Sequence, residues 1–278
     1  MQLTSVKGFL LLITSIAPIT LVSTPSLAAT LGTSKSTVNI NNFSHDTLDV
    51  KTITDNFTDE FVTDGFVNTK VDAVARFITN QPPLSADNLS FSEVNGNGKE
   101  YSGLAETQAA VIGYDFLVNK DEIFSFSFDA TLNLVTSIDN TQSEVVNVDG
   151  TTTLDLYDTT DKDNWLYLDS FRLEGDLTTL GNDYLNYDNS SSIRLNSIVV
   201  DSAFNSNKES TKASIKGTFF RTFDDLTNVT LVEVKNNQAS VSVPEPSSLL
   251  GSLLCIICMG YKVTSKVVSS KLAVKIKQ

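Results

Sequence analysis

Few residues in this chain carry the chemistry that marks an enzyme, and their spacing limits what it can do. The single histidine, His45, stands beside Asp46 in a stretch of Thr, Ser, Asn and Asp. Hydrolysis of the Ser-His type needs an imidazole poised on a nucleophile and oriented by an acid. A lone histidine in a polar segment reads as polar filler instead. Zinc and copper sites draw on several His or Cys ligands, yet there is no second histidine, and both cysteines, Cys255 and Cys258, lie in an apolar tail. Their C-x-x-C spacing matches a redox motif, but that motif works in a soluble strand-to-helix setting that lowers a thiol pKa. Within an apolar helix they are small fillers on one face.

Carboxylates are the exception, being plentiful. The loop Asp158-Thr159-Thr160-Asp161-Lys162-Asp163-Asn164 gathers hard oxygen ligands of the kind Ca²⁺ takes, with Asp158, Asp161 and Asp163 as the candidate ligands. EF-hand spacing fails there, because Trp165 falls where an Asp or Asn belongs and no glycine follows. The plainer reading is a solvated hairpin turn in which Asp and Asn bond their own backbone. Asp224-Asp225 is a weaker candidate. A glycosidase-type carboxylate pair needs two acids facing each other across a cleft, and nothing in the sequence marks such a pair. No catalytic constellation is identifiable, so the expectation is a non-enzyme without a cofactor, calcium at the Asp loop aside.

The N-terminus has the three parts of a secretory signal: Lys7, an apolar stretch from Gly8 to Val22, and small residues at Ser26 and Ala28. Residues 1–28 are expected to form a signal helix, cut by signal peptidase between Ala28 and Ala29. A membrane anchor would need about 18 consecutive apolar residues, and Thr14, Ser15, Pro18 and Thr20 interrupt this run. Of 20 Lys+Arg, fourteen remain in the exported part, against all 33 Asp+Glu, which leaves it near −19. Such a surface repels nucleic-acid phosphates and anionic lipid headgroups. Acidic polymers are disfavoured too unless divalent cations bridge them. With both cysteines in the tail the exported part has no disulfide, and about 218 residues must be stabilised by burial.

Along the body, residues 29–65 read as a polar lead-in of short edge strands or mobile chain. Phe66 to Thr79 fits a strand closed by Pro82-Pro83, and Asn95-Gly96-Asn97-Gly98 reads as a turn. Period-two patterning is then plain, with Phe124, Phe126, Phe128, Ala130 and Leu132 on one side and Ser125, Ser127, Asp129 and Thr131 on the other. Similar strands are expected over 111–118, 152–157, 165–173, 193–200, 213–220 and 229–234, and turns over 158–164, 174–192, 205–210 and 224–228. Many short strands with almost no helical periodicity predict an all-β fold, a two-sheet antiparallel, jelly-roll-like sandwich spanning 66–242.

The final segment, 243–278, has its own logic. Val243-Pro244-Glu245-Pro246-Ser247 precedes an apolar run from Leu249 to Tyr261 and five scattered lysines, Lys262 to Lys277. Each proline fixes its own φ and drives the preceding residue out of the helical region, which keeps the chain extended and accessible to a processing enzyme. This arrangement resembles the PEP-CTERM sorting domain, with Pro244, Glu245 and Pro246 as its recognition triplet. The resemblance implies processing by an exosortase, a membrane-embedded cysteine transpeptidase of Gram-negative-type bacteria, and an association with exopolysaccharide and biofilm matrix. The body, over 114–129, 154–158 and 218–235, is similar to β-rich exported domains on such proteins in cyanobacteria, which brings no defined activity. Two features depart from the tail pattern: the basic residues are dispersed lysines, and Leu249 to Tyr261 would span only ~20 Å as a helix against a core of about 30 Å. Lys262 and Lys266 can snorkel so that Val263 to Val268 complete a C-terminal membrane helix.

These readings together predict an exported protein, transiently anchored in the inner membrane and then placed at the cell surface or outside the cell. It would be a structural or adhesive component meeting matrix polysaccharide, not nucleic acid. The alternative is a carbohydrate-binding or carbohydrate-active module, whose aromatics would be Trp165, Tyr167, Tyr184 and Tyr187.

Overall fold

A computed structural model of the chain describes residues 28–79, 83–141, 143–179 and 181–243. The predicted signal helix, the sorting triplet Pro244, Glu245 and Pro246, and the C-terminal membrane helix lie outside the described residues. So does the residue before the expected signal cut in part: Ala28 is described in its backbone only. The rest is all-β, as expected. Ten strands follow in order: β1 Ala28–Asn41, β2 Asp49–Ile78, β3 Ser85–Val118, β4 Ile123–Ser137, β5 Val145–Asp158, β6 Leu166–Thr178, β7 Tyr184–Asn189, β8 Ile193–Ala203, β9 Lys208–Thr222 and β10 Thr227–Val243. Every pairing is antiparallel.

Hydrogen bonding joins all ten into one sheet, ordered β7-β6-β5-β10-β3-β1-β4-β9-β8 with β2 also on β3, where two separate sheets were expected. The connection is β3 itself. Its first half, from Ala86 to Gly98, pairs with β1, and its second half, from Tyr101 to Val118, pairs with β10, while β2 accompanies it throughout. Ser90 and Thr107, both on β3, have hydroxyls 2.5 Å apart. A straight strand would separate residues 17 apart by about 55 Å, so β3 doubles back and lays its two halves face to face.

The corner corrects the expected turn over Asn95 to Gly98: the chain there continues as strand and bends. β2 shifts register between Val62 and Asp64 and again between Asp64 and Gly65. Gly65 and Gly98 take φ of 133° and 143°, and a Cβ on either would stand 2.3 Å from a backbone oxygen of the opposite strand. Only glycine fits these two positions.

The expected polar lead-in is also corrected. Residues 28–41 form β1, an interior strand with β3 on one edge and β4 on the other. Its inward set is Thr30, Gly32, Ser34, Ser36, Val38 and Ile40, all buried. Thr30, Ser34 and Ser36 bond Tyr101, the Asp149 carbonyl and Asn237 on facing strands, which hydropathy alone does not reveal. The predicted turn over 174–192 likewise holds the end of β6 and all of β7, a short strand at the sheet edge that, among the described residues, pairs with β6 alone. Phe66 to Ile78 is strand, as read from the sequence. A large apolar core lies between the two halves, with Phe116, Phe124, Phe126, Phe171 and Phe219 at 0–1% exposure.

Candidate functional site

Three places bring chemically useful side chains together. The first is the outward face of the half built from β3, β10, β5, β6 and β7. Register aligns Glu106, Gln238, Asp149, Asp176 and Tyr184 in one row across these strands. Burial pushes the Asp149 carboxyl up to about 7, and the charges of Asp176 and Glu106 push in the same direction. Burial raises Glu106 and Asp176 as well. Farther along β5, on the same side, stand Asp155, itself raised by burial, and Tyr157. Tyr157 meets Trp165 at 5.8 Å and Tyr167 at 5.7 Å between ring centroids, and Trp165 meets Tyr114 at 6.4 Å. Tyr167, Tyr184 and Tyr187 are 53%, 40% and 43% exposed, and Trp165 is half-buried.

The Asp loop behaves as a turn. Asp158 accepts the Thr160 N–H at 2.9 Å and Asp161 accepts the Asp163 N–H at 3.0 Å, the self-bonding expected of Asp in turns. Among the described residues, no group of three or more His, Cys, Asp or Glu is arranged to hold a metal.

His45 has more company than its sequence context suggested. Its Nδ1 lies 2.8 Å from Ser44 Oγ and its Nε2 3.1 Å from Glu122 Oε2; the bond to His45, with those from the Asn119 backbone N–H and side-chain amide, holds the Glu122 carboxyl below its usual range. Ser44 Oγ also accepts the Ser125 N–H at 2.8 Å and lies 3.2 Å from the Ile123 carbonyl. The hydroxyl is tied to β4, and the trio works as a clip holding the β1–β2 connection to the sheet.

The third place is inside. Between the two halves runs a seam of buried polar side chains: Ser34, Ser36, Asn88, Ser90, Ser92, Thr107, Glu233, Lys235 and Asn237. Ser36 donates to Asn237 at 2.5 Å and Ser92 donates to the Asn237 carbonyl at 3.0 Å. At its centre Glu233 and Lys235, two apart on β10 and therefore on one side of the strand, are both 0% exposed. Lys235 Nζ donates to Glu233 Oε1, and Asn88 Nδ2, from β3, donates to Glu233 Oε2. Burial raises the Glu233 carboxyl and lowers the Lys235 amine, so both move toward their neutral forms. Sequence reasoning missed this cluster because Val232 and Val234 draw the eye inward, whereas the register turns their polar neighbours in.

Comparison with protein-family models, curated proteins and solved structures finds no match to this chain. Among the described residues, no helix is long and apolar enough to cross a membrane.

Proposed function

We propose that the chain is an exported protein carried by its tail to the cell surface or extracellular polysaccharide matrix, where the sheet serves as a structural or adhesive body. One observation carries this reading. Between the two processing points read from the sequence, the described residues join into a single ten-stranded antiparallel sheet around a large apolar core, the form of a self-standing cargo. Signal peptidase would remove the residues up to Ala28, and an exosortase-type transpeptidase would act at the Pro244-Glu245-Pro246 triplet. The face-to-face packing of the two halves supports a sandwich, jelly-roll-like in its layering, as the form of this cargo. Its test is fractionation of producing cells. The native chain is expected in the surface fraction, and the triple variant Pro244→Ala, Glu245→Ala, Pro246→Ala in the inner-membrane fraction. Equal surface delivery of both would overturn the sorting claim.

A second reading is favoured by the exposed Tyr167, Tyr184 and Tyr187 near the carboxylate row. Exposed rings beside acids are what a carbohydrate-binding face presents to sugar. A glycan array with and without Ca²⁺ separates the two, and includes the calcium-bridged contact through Asp158, Asp161 and Asp163. Saturable binding to one glycan class, abolished by Tyr184→Ala, would establish a sugar site. Its absence on all glycans leaves the scaffold reading.

A further inference from the structure

We propose that Lys235 and Asn88 become joined by an intramolecular isopeptide bond, with Glu233 as the group that moves the proton. Lys235 Nζ attacks Cγ of the Asn88 side-chain amide, forming an Nζ–Cγ bond. The Cγ–Nδ2 bond breaks, and Nδ2 leaves as ammonia carrying a proton that came from Nζ through Glu233. No oxidant or reductant is involved.

The geometry that points to this is the sharing of one carboxylate. Nζ, the nucleophile, sits on Glu233 Oε1, and Nδ2, the leaving group, sits on Oε2. A carboxyl touching both is placed to take a proton from one and hand it to the other. The partners come from facing halves of the sheet, Asn88 from the first part of β3 and Lys235 from β10 beside Ala109 in its second part. Facing sheets stand about 10 Å apart, a gap that an extended lysine and an asparagine can close.

An ordinary buried ion pair would be expected to use the remaining hydrogen-bonding capacity around it. An ammonium has three N–H donors, and among the described residues that of Lys235 meets one acceptor, Glu233. Asn88 Oδ1 is buried with no hydrogen-bond partner among the described residues. A single-acceptor ammonium in the interior is costly, whereas a neutral amine has a lone pair to donate. The burial that raises Glu233 and lowers Lys235 favours that neutral state. Fixed proximity supplies the rest, since a positioned pair escapes the entropy of a bimolecular encounter. The bond would tie β10, whose last residue adjoins the sorting tail, to the opposite half of the sheet.

The test is a tryptic digest of the folded full-length chain, read by tandem mass spectrometry. With the bond present, trypsin cannot cut at Lys235, and Phe77–Lys99 appears joined to Thr222–Lys262 as one branched species lighter than their sum by one ammonia. Linear Phe77–Lys99 and Thr222–Lys235 from folded protein overturn the proposal. The Glu233→Gln chain is expected to give the linear peptides. A branched peptide from that variant would remove Glu233 from the reaction.

Discussion

At one end of the interior, Phe43, Phe116, Phe124, Phe126 and Phe219 pack ring against ring, with centroids 5.0–6.0 Å apart. Across the middle, Ser34, Ser36, Asn88, Ser90, Ser92, Thr107, Glu233, Lys235 and Asn237 fill the same space between the same two halves. Phenylalanines supply non-directional burial, which holds the halves together without fixing how they slide. The polar seam supplies directional bonds that are satisfied in one register only, and a buried polar group left unmatched is costly. The contrast separates what makes the fold stable from what makes it specific, and it places the reactive groups in the second region.

Breaking the aromatic region is expected to give the largest loss. Phe126→Ala removes a ring 1% exposed and stacked 5.2 Å from Phe219, at a cost of about 3–5 kcal/mol, measured by chemical denaturation. The seam answers a sharper question. Replacing a buried ion pair by apolar residues of similar size is often neutral, or stabilising by about 1–4 kcal/mol. A covalent link closing a loop as long as 88–235 is worth about 5 kcal/mol in chain entropy. The double variant Glu233→Leu, Lys235→Met is therefore expected to melt below the wild type, and a melting point at or above it would mark the seam as an ion pair alone.

The smallest effect lies on the outward carboxylate row. Asp149, near 3.8 when unfolded and raised to about 7 in the fold, favours its protonated form in the native state. Its contribution to stability is present below the unfolded value and is lost as pH rises through about 7. Thermal midpoints should fall between pH 5 and pH 8, and Asp149→Asn should flatten that decline. An unchanged slope in the variant would assign the titration to another group.

Strands whose buried set is apolar were legible in the sequence, Phe124 to Leu132 most clearly, because one face meets the core and the other water. β1 was not, since Thr30, Gly32, Ser34 and Ser36 on its inward side look like a polar lead-in until the facing strands supply their partners. At the corner, Asn95 to Gly98 reads as a turn in the sequence, because glycine signals a positive φ without saying whether the chain reverses or bends. Within the candidate sites, the Asp158 to Asn164 loop was legible as a self-bonded turn, its bonds being local. Asn88 and Glu233 meet across 145 residues, and such a contact is set by register alone.

The most direct test of the surface-protein account is the terminal sequence of the protein recovered from the surface fraction, determined by mass spectrometry. The account predicts a chain that begins at Ala29 and lacks the apolar tail beyond the Pro244-Glu245-Pro246 triplet. A surface-fraction chain that still ends in Gln278 would contradict it.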